Sequence, residues 1–87
     1  MGSTLTKILA FCVDDGKCFV VIGNGQHWGV SKNFRRFVDE LLKITDAMSI
    51  EEVVGREVRA RLGANFSVMA LGHATDNIWM EMSELVA

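Results

Sequence analysis

Phe19-Val20-Val21-Ile22-Gly23-Asn24-Gly25-Gln26-His27-Trp28-Gly29 is the stretch on which the reading of this chain turns. Its first four residues are apolar and mostly β-branched, which suits a strand. Three glycines then fall within residues 23–29 and permit sharp turns and positive φ values that other residues avoid. Amphipathic helical spacing begins just beyond, near Ser31. Residues 23–29 therefore read as a loop fixed between two rigid elements, a common place for binding residues, and they hold the adjacent His27-Trp28 pair.

Working back from that loop, residues 5–13 and 17–22 read as two strands joined by Asp14-Asp15-Gly16. Leu9, Phe11 and Val13 line one face of the first strand, and Ile8, Ala10 and Cys12 line the other. A hairpin apolar on both faces needs helices over one and a second cover, such as another subunit, over the other. The two cysteines bracket the turn. A two-residue type I′ turn at Asp15-Gly16 pairs Val13 with Cys18 and sends the sulfurs to opposite faces. A type I turn with Gly16 as a bulge pairs Cys12 with Cys18 on one face. Both registers fit, and either way the thiols read as small buried hydrophobes in a reducing compartment.

Working forward, Ser31 is the expected N-cap of a helix whose Phe34, Phe37, Val38, Leu41 and Leu42 follow helical spacing. On its polar side, Arg35–Asp39 and Arg36–Glu40 are one turn apart. Residues 45–48 break the pattern. Ser49-Ile50-Glu51-Glu52 then has the form of a capping box, with Met48 and Val53 spaced as a hydrophobic staple. Ile50, Val53, Val54, Val58 and Leu62 predict a second helix ending at Gly63, with Gly55 inside it at a cost of roughly 1 kcal/mol relative to alanine. Residues 66–73 and 78–82 read as two further strands joined by Ala74-Thr75-Asp76-Asn77. In the last strand Ile78, Met80 and Met82 share a face, and Trp79 and Glu81 take the other. Residues 83–87 read as a short, loosely held tail. The expected fold is α+β: a single domain over residues 1–87, with a four-stranded antiparallel sheet made as β-hairpin, two helices, β-hairpin, and both helices on one face.

Composition narrows the function classes. The 87 residues make one domain, and 49% of them are hydrophobic, high for a small monomer unless some surface is covered by another chain. Nine Lys and Arg against eleven Asp and Glu give a net charge of −2, so nucleic-acid binding is not expected. Apolar runs fall far short of the ~20 residues of a membrane span. With no targeting segment, the expected location is the cytoplasm. Arg35, Arg36, Arg56, Arg59 and Arg61, interleaved with Glu51, Glu52 and Glu57, read first as solvated helix faces. His27 and His73 lack close metal-ligand partners, so no metal is expected. Gly23-x-Gly25 lacks the rest of a phosphate-binding fingerprint, so no cofactor is expected. Nucleophilic catalysis needs a positioned base, Cys12 and Cys18 sit mid-hairpin where access is poor, and no Gly-x-Ser-x-Gly elbow exists, so the chain is not expected to be an enzyme.

Trp28, Trp79, Met80 and Met82 are residue types enriched at protein interfaces. Together with the hairpin leading into Gly-Asn-Gly-Gln-His-Trp-Gly and the late Leu71-Gly72-His73…Ile78-Trp79 pair, size and layout resemble small phage-encoded anti-defence proteins of the anti-CRISPR kind. That resemblance covers under half the chain and brings no residue roles with it. It implies a phage-encoded inhibitor that sterically blocks a bacterial defence complex of the CRISPR-Cas type. The residues themselves predict a protein-binding module, with His27 and Trp28 as anchors and Arg35 and Arg36 supplying charge complementarity. The alternatives are a homodimer joined through Trp79 and Met80, with a ligand-binding or structural role, and, ranked below it, a small enzyme or nucleotide binder using the Gly-rich loop. The partner is thus a host protein complex or a second copy.

Overall fold

A computed structural model describes residues 3–23 and 25–85, apart from the side chains of Phe66 and Met82. Six strands form one sheet: β1 (Ser3–Asp14), β2 (Lys17–Ile22), β3 (His27–Val30), β4 (Glu57–Leu62), β5 (Val68–His73) and β6 (Trp79–Glu81). Their order is β3-β2-β1-β4-β5-β6, with every pairing antiparallel. Three α-helices, α1 (Phe34–Thr45), α2 (Ile50–Val53) and α3 (Met82–Leu85), send buried side chains into the core on one face. The α+β class and antiparallel sheet match expectation. The four strands and two helices do not: among the described residues there are six and three.

The first hairpin resolves the cysteine register. Asp15 (φ 50°) and Gly16 (φ 74°) are both left-handed, as a type I′ turn requires, and Val13 pairs with Cys18. Cys12 and Cys18 are free thiols on opposite faces, Cys18 buried and Cys12 half-buried. A bulge between Ile8 and Ala10 shifts the pleat, so Ile8 and Phe11 lie opposite Ile22 and Val20 on the helix side.

Part of the expected 23–29 loop is strand. Gly25 (φ 86°) closes a turn in which its N–H donates to the Ile22 carbonyl at 2.8 Å. His27-Trp28-Gly29-Val30 then pairs with β2, its inward residues Trp28 and Val30 buried. Asn24 lies outside the described residues.

Helix α1 buries Phe37, Leu41 and Ile44 and half-buries Phe34, Val38 and Leu42, the apolar stripe expected for it. It starts later than expected: its N-cap is Asn33 in left-handed conformation (φ 60°), not Ser31. The Asn33 amide donates to the Leu85 carbonyl at 2.9 Å instead of capping. The expected Arg35–Asp39 and Arg36–Glu40 pairs are absent among the described residues; Arg36 reaches Glu84 and Lys43 reaches Glu40.

The expected second helix is the largest correction. It lasts one turn, α2, and Val53-Val54-Gly55-Arg56 then makes a type II turn. Val54 (φ −67°, ψ 129°) and Gly55 (φ 92°) occupy its central positions, and the Arg56 N–H donates to the Val53 carbonyl at 3.1 Å. Gly55 is needed at that positive φ, which explains a glycine that is costly inside a helix. The Ser49 side chain caps nothing, and the Glu52 carboxylate accepts from the Met48 N–H at 3.1 Å. The chain leaves the turn as β4, whose Val58 and Ala60 are buried while Glu57, Arg59 and Arg61 face the other way.

The sheet curls around its helices. Trp28 on β3 donates its indole N–H to the Val68 carbonyl on β5 at 3.1 Å. In a flat sheet these strands, four spacings apart, would be separated by roughly 19 Å. The bulges at Ile8/Ala10 and Arg61/Leu62 supply curvature. The end of the chain is held: Leu85 is buried in the core and tied by Asn33. The loosely held tail expected over 83–87 is therefore corrected for Ser83–Leu85, and Val86 and Ala87 lie outside the described residues.

Candidate functional site

With the helices on the concave side, the pleat leaves the convex face to Leu5 and Cys12 of β1, Phe19 and Val21 of β2, His27 and Gly29 of β3, Arg59 and Arg61 of β4, and Trp79 and Glu81 of β6. No helix covers it. Leu5 is 54% exposed, and Phe19, Val21 and Trp79 are half-buried.

Two aromatic clusters mark its ends. At one, the His27 imidazole stacks on Phe19 with centroids 5.0 Å apart and planes 20° from parallel. Beside them Gly29 has no side chain because none fits: a Cβ there would lie 2.2 Å from the Cys18 carbonyl oxygen. The result is a hollow of about 340 Å³ walled by Lys17, Phe19, His27 and Ser31. At the other end Trp79 lies flat over Gly72, where a Cβ would come within 2.6 Å of the ring. The Arg59 and Arg61 guanidinium groups sit 4.9 and 5.2 Å from the Trp79 ring centre. Arg61 pairs with Glu81, and Arg59 donates to the His73 and Asp76 carbonyls at 2.7 and 2.6 Å.

The residues expected to bind a partner are not brought together. His27 is exposed on the convex face, whereas its neighbour Trp28 is 4% exposed and belongs to the core against Phe37, so it is no surface anchor. Arg35 and Arg36 project from α1, on the opposite side of the sheet. Arg36 donates to the Glu84 carbonyl at 3.1 Å, and Arg35 rims an apolar groove of about 400 Å³ lined by Phe11, Val13, Cys18, Phe34, Val38 and Ile50. The expected dimer pair also splits: Trp79 is on the convex face, but Met80 is 1% exposed and points to the helices, unable to meet a second copy without unfolding. Period-two alternation assigns them oppositely. Phe19 and Leu5 are surface residues that sequence reasoning misses, and Arg59 and Arg61 are solvated as expected but on a strand, not on a helix. The alternation of Glu57-Val58-Arg59-Ala60-Arg61-Leu62 was the signal available for the arginines.

The histidines do not converge either, His27 lying on the convex face and His73 beneath the sheet opposite Val58. The His73 Nδ1 accepts from the Thr75 and Asp76 N–H groups at 3.1 and 3.0 Å, so the ring proton sits on Nε2 and is donated to Asp46 Oδ2 at 2.6 Å. Both nitrogens are committed to tying the 74–77 turn to the end of α1. Burial pushes the Cys18 thiol up from its ordinary range, away from the thiolate that nucleophilic chemistry needs. No group of three or more metal-ligating side chains occurs among the described residues, and no helix among them is long and apolar enough to cross a membrane. Comparison with protein-family models, with curated proteins and with solved structures finds no match for this chain.

Proposed function

We propose that this chain is a protein-binding module that acts by occupying a partner's surface, without chemistry of its own, and that it docks through the convex face of the sheet. The observation that carries this reading is the bare face itself: leucine, aromatic and arginine side chains on paired strands, with the helices of the described residues on the other side. Contiguous exposed apolar surface marks interaction sites, and aromatic and arginine side chains are those enriched at their centres. The relevant residues are Leu5, Phe19, His27, Arg59, Arg61 and Trp79. The resemblance to anti-CRISPR proteins suggests where to look first, a bacterial CRISPR-type effector complex blocked sterically. The alternative, association of two copies, is favoured by the uncovered edge at β3.

The test is a tagged pull-down from bacterial lysate with the native mass of the eluate recorded, for the wild type and for Leu5→Glu. Leu5 pairs across the ladder with Arg59, so the new carboxylate meets a cation and the domain tolerates it. The reading expects a partner at fixed stoichiometry with the wild type and none with the folded variant. Recovery of the chain alone, or equal capture by both, would overturn it.

A further inference from the structure

We propose that β3 is the pairing edge of a symmetric dimer, in which the β3 strands of two copies run antiparallel about a two-fold axis at Trp28. The pairing uses the backbone edge of the sheet, and its register uses His27 and Gly29 of the convex face; the edge amides read it separately from the docking surface proposed above.

Hydrogen-bonded and non-bonded pairs alternate along an antiparallel ladder. The Ile22 N–H donates to the Gln26 carbonyl at 3.0 Å, which sets the phase for β2 and β3. Val20–Trp28 and Cys18–Val30 are then the bonded pairs, and Val21–His27 and Phe19–Gly29 are not. The N–H and C=O groups of His27 and Gly29 consequently point away from the sheet, and among the described residues they meet no other backbone group. Edge strands are ordinarily blunted by lysine, proline or a bulge, and His27-Trp28-Gly29-Val30 has none of these. The opposite edge is different: β6 is three residues long and runs directly into α3.

Commitment to a second copy comes from register. About a two-fold at Trp28, His27 lies opposite the Gly29 of the second copy, and Gly29 opposite its His27. Both are outward-pointing residues, so two hydrogen-bonded pairs form, one on each side of the axis. On the convex face His27 is a projecting ring, and two residues along is the hollow left by Gly29. The two-fold sets each imidazole against the other copy's hollow. A slip of one residue opposes outward groups to inward ones. A slip of two places ring on ring or hollow on hollow. The strand carries no lysine, arginine or carboxylate, so no like charges meet.

The experiment combines native mass with residue-resolved amide exchange over a range of protein concentrations. The mass should double with concentration, and the His27 and Gly29 amides should pass from fast exchange to protection together with it. The Trp28 amide, already bonded within the sheet, should be protected throughout. His27→Pro removes an outward donor, and His27→Lys places a charge on the edge; both should remain folded and monomeric. Gly29 is not a usable site, since any side chain there collides with β2. A chain monomeric at every concentration would overturn the proposal. So would a dimer whose His27 and Gly29 amides still exchange fast, whether or not the variants fold, and so would folded variants that still dimerise.

Discussion

At the β6 end of the sheet, Trp79 lies over Gly72 between two arginines, its indole N–H donates to Asn77 Oδ1 at 3.0 Å, and Arg61 pairs with Glu81. Helix α3 follows at once, and Leu85 anchors it in the core. At the β3 end the strand is held from inside, where Trp28 reaches Val68 beneath the sheet, and its convex side carries the Phe19–His27 stack and the Gly29 hollow. One end is closed by side chains bridging its outer surface, and the other is fixed from inside and left open outside. On the reading proposed above, the β6 end brings aromatic and arginine side chains already braced against one another, and the β3 end brings a convex side and a backbone edge not used for self-closure.

Four predictions probe the contrast, in descending order of effect. Trp28→Ala takes away the internal support of the open end and should cost about 3–5 kcal/mol, seen as a lower denaturant midpoint; an unchanged midpoint would place Trp28 outside the core. Gly72→Ala drives a methyl group into the Trp79 ring and should cost about 1–3 kcal/mol, with indole fluorescence shifting as the ring is displaced from the arginines. Arg61→Gln breaks an ion pair that is partly solvated, so its midpoint should change by about 0–1 kcal/mol; a larger loss would show that the closed end depends on charge more than on stacking.

The last concerns pH at the open end, where Cys18 pairs with Val30. Because burial pushes its thiol up, the unfolded chain loses that proton first as pH rises past the ordinary thiol range. The contribution is therefore full below that range and declines above it as pH rises towards the folded-state value. Cys18→Val should abolish the alkaline decline in denaturant midpoint, and Cys12→Ser should retain it. A decline of equal size in Cys18→Val would assign the effect elsewhere.

Much of the scaffold was legible from residue pattern. The Phe34–Leu42 stripe dictates α1, and Asp-Asp-Gly between apolar runs dictates the first hairpin, because periodicity and turn chemistry agree there. The region after Ser49 misled for a physical reason. Val53, Val54, Val58 and Leu62 fit helical spacing, and Glu, Arg, Ala and Leu are good helix formers, yet residues 57–62 alternate with a period of two. Gly55 decides between them, since a type II turn needs its positive φ and a helix does not. The candidate site was less legible. His27 and Trp79 were picked as surface residues and lie on the convex face, but their neighbours Trp28 and Met80 were assigned with them. Adjacent residues in a strand point to opposite faces, and reading 23–29 as a loop removes that rule for Trp28; Trp79 and Met80 read on opposite faces of their strand, and pairing them in one interface sets that alternation aside. Arg35 and Arg36 follow α1 to the far side, a placement that depends on the sheet's curl and not on local spacing.

On the proposed reading the convex face binds and the helix layer is scaffold. The most direct test compares Leu5→Glu with Met48→Glu, one new carboxylate on each side, at residues 54% and 86% exposed in the wild type. Each folded variant competes with tagged wild type for the captured partner. Leu5→Glu is expected to fail to compete, and Met48→Glu to compete as well as the wild type. The reverse result would move the binding surface to the helices and contradict that reading.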